Sequence, residues 1–468
     1  MPLFGLFQLN VTIILVSFLV LLAAYVSYTK ISLFLVRRRF KLEHGCQPIV
    51  KRYPHRDIFG IDGMLALLWA NNEHRLLDEL LKDKEMLGTT YATEILTEKI
   101  IATCEPQNIK TVLSLKFKDY GVGNRIDTLG ALLGHGIFTS DGEAWAQSRA
   151  IIRPNFTREQ VADLEAFERH IQHLFKLLPH DGSTVDLQEL FFRFTIDSAT
   201  EFLFGRSVNS LRATSAGSAE ITFAEAFNKA QSFLTHRVRL GPLRFFYSRK
   251  EGDQAIRTCQ AFVDQFVDEA VLYREKVDLE PQRAAAADDE KYIFLRELAK
   301  STKDKRRLRD ELLNVLLAGR DTTASLLSNM WFVIARRPDV FAALRREVQD
   351  VLRGQRPTYA QLRNMRYLRY CMNESLRLHP VVPGNERFAV ADTVLPVGGG
   401  PDGSAPVFVA KGTVISYLPY VMHRRKDFYG EDADEFKPER WEHLRPGWEY
   451  LPFNGGPRIC KFSNFHIC

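Results

Sequence analysis

From about Lys303 to Arg336 the chain keeps a single helical register, and no other feature limits its possible folds so strongly. Leu308, Leu312, Val315, Leu316, Gly319 and Leu326 recur at three- and four-residue steps, and Pro338 follows the end. At 1.5 Å per residue the helix is roughly 50 Å long, enough to cross an entire domain. The charged run 301–311 reads as its solvated start. Its middle is less ordinary. "AGRDTT" (318–323) puts Gly319, Asp321, Thr322 and Thr323 where propensity disfavours them. Clustered there, they predict a local distortion such as a π-bulge, which opens a groove beside a ligand and frees the Thr322 hydroxyl. Close helix–helix packing with a satisfied aspartate accounts for the same residues.

A chain of 468 residues with 46% hydrophobic content can bury a large core. After residue 45 there is no long Pro/Ser/Gly linker and no repeat, so residues 61–468 are expected to form one large domain. To about residue 380 the pattern is mainly helical. Residues 141–156 ("DGEAWAQSRAIIRPNF") read as a helix opened by an Asp-Gly turn and broken at Pro154. The polar stretches 211–221 and 280–290 read as exposed loops. Residues 394–417 alternate β-branched residues with Gly/Pro turns. The expected fold class is mainly α (α+β), a long central helix with a small β region.

The N-terminus adds a membrane. Residues 11–28 ("VTIILVSFLVLLAAYVSY") carry no charge and can span a hydrocarbon core of about 30 Å as a helix. Arg37, Arg38 and Arg39 follow, and the positive-inside rule puts them and the rest of the chain in the cytosol. Residues 1–36 are therefore expected to be a membrane anchor and 37–60 a basic connector. A cleaved signal peptide fits less well, because its positive charges precede the apolar run. A net charge of +6 does not call for nucleic acid, but it suits an acidic partner or membrane surface. Six scattered cysteines form no C-x-x-C pair, which argues against a disulfide framework and structural zinc.

Three further groups carry chemistry. Glu374 and Arg377 in "ESLRLHP" lie one helical turn apart and can pair, with Arg440 downstream in "FKPERW". Gly455, Gly456 and Pro457 allow a tight turn that brings main-chain N–H groups towards a sulfur. Arg458 supplies a charge for an anion. Cys460 is then placed to be held as a thiolate by those amides and a metal.

These residues resemble those of the cytochrome P-450 heme-thiolate monooxygenases. The family's Phe-x-x-Gly-x-Arg-x-Cys loop matches Phe453, Gly456, Arg458 and Cys460. Its mid-helix motif matches residues 318–323 in full, and Glu374, Arg377 and Arg440 match its charge network. Trp145 and Arg149 match a Trp-x-x-x-Arg that binds heme propionates, and Arg387 falls near a further propionate ligand. The resemblance implies heme b as cofactor, with Cys460 as its axial thiolate and Trp145, Arg149, Arg387, Phe453 and Arg458 around it. It implies Asp321 and Thr322 as the proton-delivering catalytic pair, and Glu374, Arg377 and Arg440 as structural. It also implies a hydrophobic small-molecule substrate, an NADPH-cytochrome reductase as electron donor, and the endoplasmic reticulum membrane as location. A narrower likeness, in 136–156, 312–324, 398–403 and 453–460, is to fungal alkane- and fatty-acid-hydroxylating enzymes, with Phe138, Val381 and Val382 as pocket residues.

The family continues after its cysteine with x-Gly, a helix and a β region, where this chain has Lys461-Phe462-Ser463 and ends at Cys468. The expectation is a truncated C-terminus. The alternative to an active monooxygenase is then a catalytically inactive product of a retained intron or a gene-model error. A heme-thiolate isomerase needing no O₂ is disfavoured by the Asp321–Thr322 pair.

Overall fold

The structure is a computed structural model that describes residues 2–156, 164–212, 219–247, 249–279 and 292–460. Helix α1 (Pro2–Glu43) opens the chain, and from Leu15 it is long and apolar enough to cross a membrane. It runs unbroken through the boundary expected at residue 36. Arg37 donates from Nε and Nη2 to the two carboxylate oxygens of Asp392, each at 2.9 Å. Phe40 packs edge-on to Phe408 at 5.7 Å, so the end of α1 is fastened to the domain.

The next elements were not expected. Strands β1 (Thr90–Ile95) and β2 (Glu98–Thr103) form an antiparallel hairpin inside the region read as helical. Its two-residue turn carries no glycine or asparagine; Leu96 takes the left-handed conformation instead, at φ 56°. The usual turn signal was therefore missing.

Strand β3 (Tyr120–Gly121) pairs antiparallel with β4 (Asn385–Ala389). In the strand-and-turn region expected at 394–417, strands β5 (Thr393–Gly399) and β6 (Ala405–Val409) pair antiparallel as a separate two-stranded sheet. Strand β7 (Val414–Tyr417) lies parallel to β2 and antiparallel to β4, giving the order β1-β2-β7-β4-β3.

Helix α2 (Gly142–Ile152) follows its Asp-Gly turn and gives way to a 3₁₀ turn at Arg153–Phe156, around Pro154. Helices α3 (Leu187–Phe204), α4 (Ala219–Leu240) and α5 (Lys250–Leu279) surround α6 (Lys305–Ile334), the long helix of the sequence pattern. Asp304 caps α6 by accepting from the Arg306 and Arg307 amides. Leu308, Leu312 and Leu316 are fully buried along it, against Phe227 and Val263 among others. Residues 280–290 and 213–218 of the two polar stretches lie outside the described residues, and α4 begins inside the first stretch at Ala219. Helix α7 (Arg366–Leu378) carries Glu374 and Arg377.

The expected π-bulge in α6 is absent: the backbone stays α-helical through 318–323. Thr322 Oγ1 donates to the Ala318 carbonyl at 2.6 Å, which satisfies the hydroxyl without unwinding the helix. Gly319 and Thr323 border a small gap against Phe194, Ser198 and Phe202 of α3. Here close packing accounts for the small residues.

Candidate functional site

Several parts of the fold meet around a cavity of about 220 Å³, among them α2, α6, the β4–β7 edge of the sheet, the segments that carry Arg125, Phe138 and Val381, and residues 451–460. Their side chains divide by chemistry. Phe138, Ile152, Val315, Ala318, Val381 and Val382 make apolar walls, while Arg125, Arg149, Arg153, Arg387 and Arg458 bring five guanidinium groups. Among the described residues, no aspartate or glutamate lines the cavity. Cys460, Phe453, Trp145 and Thr322 border it as well.

Four of these arginines have a traceable support. Strand pairing sets Arg387 opposite Ile415 and buries it, with Nη1 donating to the Glu386 carbonyl at 2.7 Å. Arg149 sits one turn after Trp145 on α2, with its guanidinium 5.6 Å from the indole and Nη2 donating to the Ile459 carbonyl at 3.1 Å. Arg458 donates to the Ser140 carbonyl at 2.9 Å and to Asp141 Oδ1 at 2.7 Å. Burial pushes the Arg458 guanidinium down to about 10, against the pull of Asp141, and Arg387, Arg125 and Arg149 push the same way. Burial and the charge of Arg387 lower Arg125 too. Cations crowded this way favour an anion in the cavity.

The turn before Cys460 needs its glycine. Gly456 has φ 66°, and a Cβ there would lie 1.8 Å from the Leu113 carbonyl oxygen, on the π-helical turn Thr111–Leu115. That contact seats the loop, and the Cys460 amide closes it by donating to the Phe453 carbonyl at 2.9 Å.

The charge network lies apart from the cavity. Glu374 accepts from Arg377 Nε and Nη2 at 2.8 Å each, from Arg440 Nε at 2.9 Å, and from Trp441 Nε1 at 3.0 Å. Glu374 and Arg377 are 0% exposed, so the charges are compensated inside the protein rather than by water. Arg377 also donates to the carbonyls of His423, Ala433 and Glu435. Asp321 does not line the cavity; it borders a neighbouring chamber that meets the cavity at Thr322 and Val381.

The Cytochrome P450 family model matches residues 62–461. The chain belongs to the cytochrome P450 family. Among its relatives, cytochrome P450 monooxygenase himC of Aspergillus japonicus is 48% identical over 93% of this chain and 78% of the relative. Cytochrome P450 monooxygenase fsdH of Fusarium heterosporum is 45% identical, over 97% and 81%. Cytochrome P450 52A13 of Debaryomyces hansenii is 41% identical, over 92% and 84%. The P450 family uses heme with a cysteine thiolate as iron ligand, and its members act with redox partners on hydrophobic substrates. The cavity of this P450 fits such a group: apolar walls for a flat macrocycle, a cysteine at its edge, and guanidinium groups without carboxylates to meet two propionates.

Sequence reading missed Arg125, whose Nη2 donates to Asn385 Oδ1 at 2.5 Å. No local motif marks it; only the fold brings it to β4. It also missed His423, which is fully buried. Nδ1 of His423 donates to the Arg377 carbonyl, and Nε2 accepts from the Leu451 amide at 2.9 Å, joining the charge network to the run into the Cys460 loop. Burial lowers the His423 imidazole to about 3 and that of His379 to about 4. Both are neutral in the folded protein, and the unfolded chain takes up their protons first. Stability is therefore complete above about pH 6.5 and falls as pH drops through that value towards the folded values. His423 alone is expected to remove about 2 kcal/mol between pH 8 and pH 5. Denaturant unfolding at a series of pH values checks this, and His423→Gln, which can keep both hydrogen bonds, should flatten the slope.

Proposed function

We propose that this P450 is a membrane-anchored monooxygenase that hydroxylates a long-chain alkane or fatty acid at or near its end. The observation that carries the reading is a cavity bordered by Cys460, by an arginine cluster that has no carboxylate among the described lining residues, and by apolar walls beside Thr322. The overall reaction is R–H + O₂ + two electrons + two protons → R–OH + H₂O. The electrons come from an NADPH-cytochrome reductase that docks through its acidic face.

When bound, the heme would supply the oxidising power, which a thiolate ligand would raise by donating electron density. The protein's own groups do the rest. Cys460 would supply the thiolate that holds the heme, Phe453 would pack beside it, and Trp145, Arg149, Arg387 and Arg458, joined by Arg125, would hold the propionates. Phe138, Val381 and Val382 exclude water and orient an apolar chain. Asp321 takes protons from the polar chamber, and Thr322 passes them on at its hydroxyl, which must rotate away from the Ala318 carbonyl to do so. Glu374, Arg377 and Arg440 keep the segment ahead of Cys460 in place.

The chain-end preference rests on the sequence likeness to fungal alkane and fatty-acid hydroxylases. The endoplasmic reticulum location rests on α1 and the arginines that follow its apolar stretch. The test is a carbon-monoxide difference spectrum of the reduced full chain. Turnover then follows with the reductase in lipid vesicles, over fatty acids and alkanes of increasing length. A red-shifted Soret band and terminal alcohols are expected. Oxidation confined to internal carbons would overturn the substrate assignment. Folded protein without the band would leave the inactive-product reading of the sequence. The segment after Cys460 lies outside the described residues.

A further inference from the structure

Arg320 stands at the variable position of the 318–323 motif, next to Asp321, and has been given no role so far. It is 3% exposed, yet it stands on α6 facing α4 rather than solvent. Its Nη1 donates to Asp321 Oδ1 at 2.8 Å and its Nη2 to Asn228 Oδ1 at 2.6 Å. Its guanidinium lies 4.8 Å from the ring centre of Phe192 and 5.5 Å from that of Phe227. Nε has no hydrogen-bond partner among the described residues. Burying this cation is costly, and apolar residues often stabilise such a position as well or better. Its placement therefore calls for a reason other than stability.

The surroundings supply one. Arg320 and Asp321 line a chamber of about 400 Å³ whose other polar walls are Asn228, Gln231, Ser232 and Thr235 of α4 and Ser325 of α6. Phe192 of α3 and Val381 complete its lining, and among the described residues Arg320 is the one charged side chain that lines it beside Asp321. The chamber meets the apolar cavity at Thr322. A proton drawn from water in the chamber thus reaches the cavity past one carboxylate, and that carboxylate is clamped by one guanidinium.

We propose that Arg320 is a positioning residue for proton delivery, fixing the Asp321 carboxylate at the mouth of the polar chamber beside Thr322. Burial pushes the Asp321 carboxyl above the usual range, while the charge and hydrogen bond of Arg320, with Gln231, pull it back. This balance keeps the group able both to take a proton and to release it. Without Arg320 the carboxyl holds its proton, the relay slows, and oxygen activation is diverted to peroxide. Asn228 anchors the other arm of the guanidinium, so the clamp also ties α6 to α4.

The inference rests on the proposed role of Asp321, and its test has a readout independent of turnover. The carbonyl stretch of protonated Asp321 is followed by infrared titration of the full chain, assigned by its loss in Asp321→Asn. Arg320→Gln is expected to raise the midpoint by about one pH unit or more, and Arg320→Lys to stay near the wild-type value. In turnover, the share of NADPH electrons recovered as peroxide is expected to rise several-fold in Arg320→Gln and to be largely restored in Arg320→Lys. If Arg320→Gln does not fold, Asn228→Leu, which keeps both charges but frees one arm, should shift peroxide release in the same direction by less. An unchanged midpoint, or an unchanged peroxide share in folded variants, overturns the inference. Failure of the parent reading looks different: wild-type protein then lacks the red-shifted Soret band, while the infrared titration still reports whether Arg320 governs Asp321.

Discussion

Cys460→Ser is expected to leave the fold in place and to abolish both the red-shifted carbon-monoxide band and product formation. The side chains are close in size, and the loop is set by its backbone: the Cys460 amide to the Phe453 carbonyl, and Gly456 against the Leu113 carbonyl. Serine keeps both contacts, so the unfolding free energy should change by less than about 1 kcal/mol. What serine cannot supply is a soft, electron-donating thiolate. Thermal unfolding and the reduced difference spectrum, measured on the same preparation, separate the two effects. A variant that kept the red-shifted band would remove Cys460 from its proposed place. A variant that lost its fold would mean that the cysteine packs structurally.

The contrast between loop and sheet explains what could be read in advance. The Cys460 turn and α6 were legible because their requirements are local. One needs glycine where a backbone comes close; the other needs apolar residues at helical spacing and a capping aspartate at 304. The hairpin at 90–103 was not legible, because Leu96 makes its turn without a turn residue. Its parallel partner β7 is also some 300 residues away, so no local window contains the pairing. Arg125 and His423 escaped for a related reason. Each acquires its meaning from partners on distant segments, Asn385 and Leu451, and a lone arginine or histidine carries no pattern. The π-bulge failed differently. Small and hydroxylated residues in mid-helix fit two structures, and only the helix facing them decides which forms.

Glu374→Ala should give the largest loss of stability among these variants. The carboxylate is 0% exposed and accepts from Arg377, Arg440, Trp441 and the Lys437 amide, so it holds α7 against residues 437–441. Removing it leaves Arg377 fully buried and Arg440 nearly so, without that counter-charge, although Arg440 still pairs with Asp432 at 3.2 Å. An uncompensated buried charge of this kind costs about 3–5 kcal/mol, read as a fall in unfolding free energy by urea titration. Glu374→Gln, which keeps the shape and some hydrogen bonds, should lose less. The decisive comparison is the double replacement Glu374→Leu with Arg377→Met. If the cost of Glu374→Ala comes mainly from stranding Arg377, removing both charges should recover part of the loss. If the double variant is instead worse than Glu374→Ala, the carbonyls that Arg377 ties at 423, 433 and 435 matter more than its charge. Heme content should follow stability either way, because the run through Leu451 to Cys460 is tied to this network by His423. A loss below about 1 kcal/mol for Glu374→Ala would mean that water reaches the two guanidinium groups once the carboxylate is gone, and that the network is not what holds the approach to Cys460.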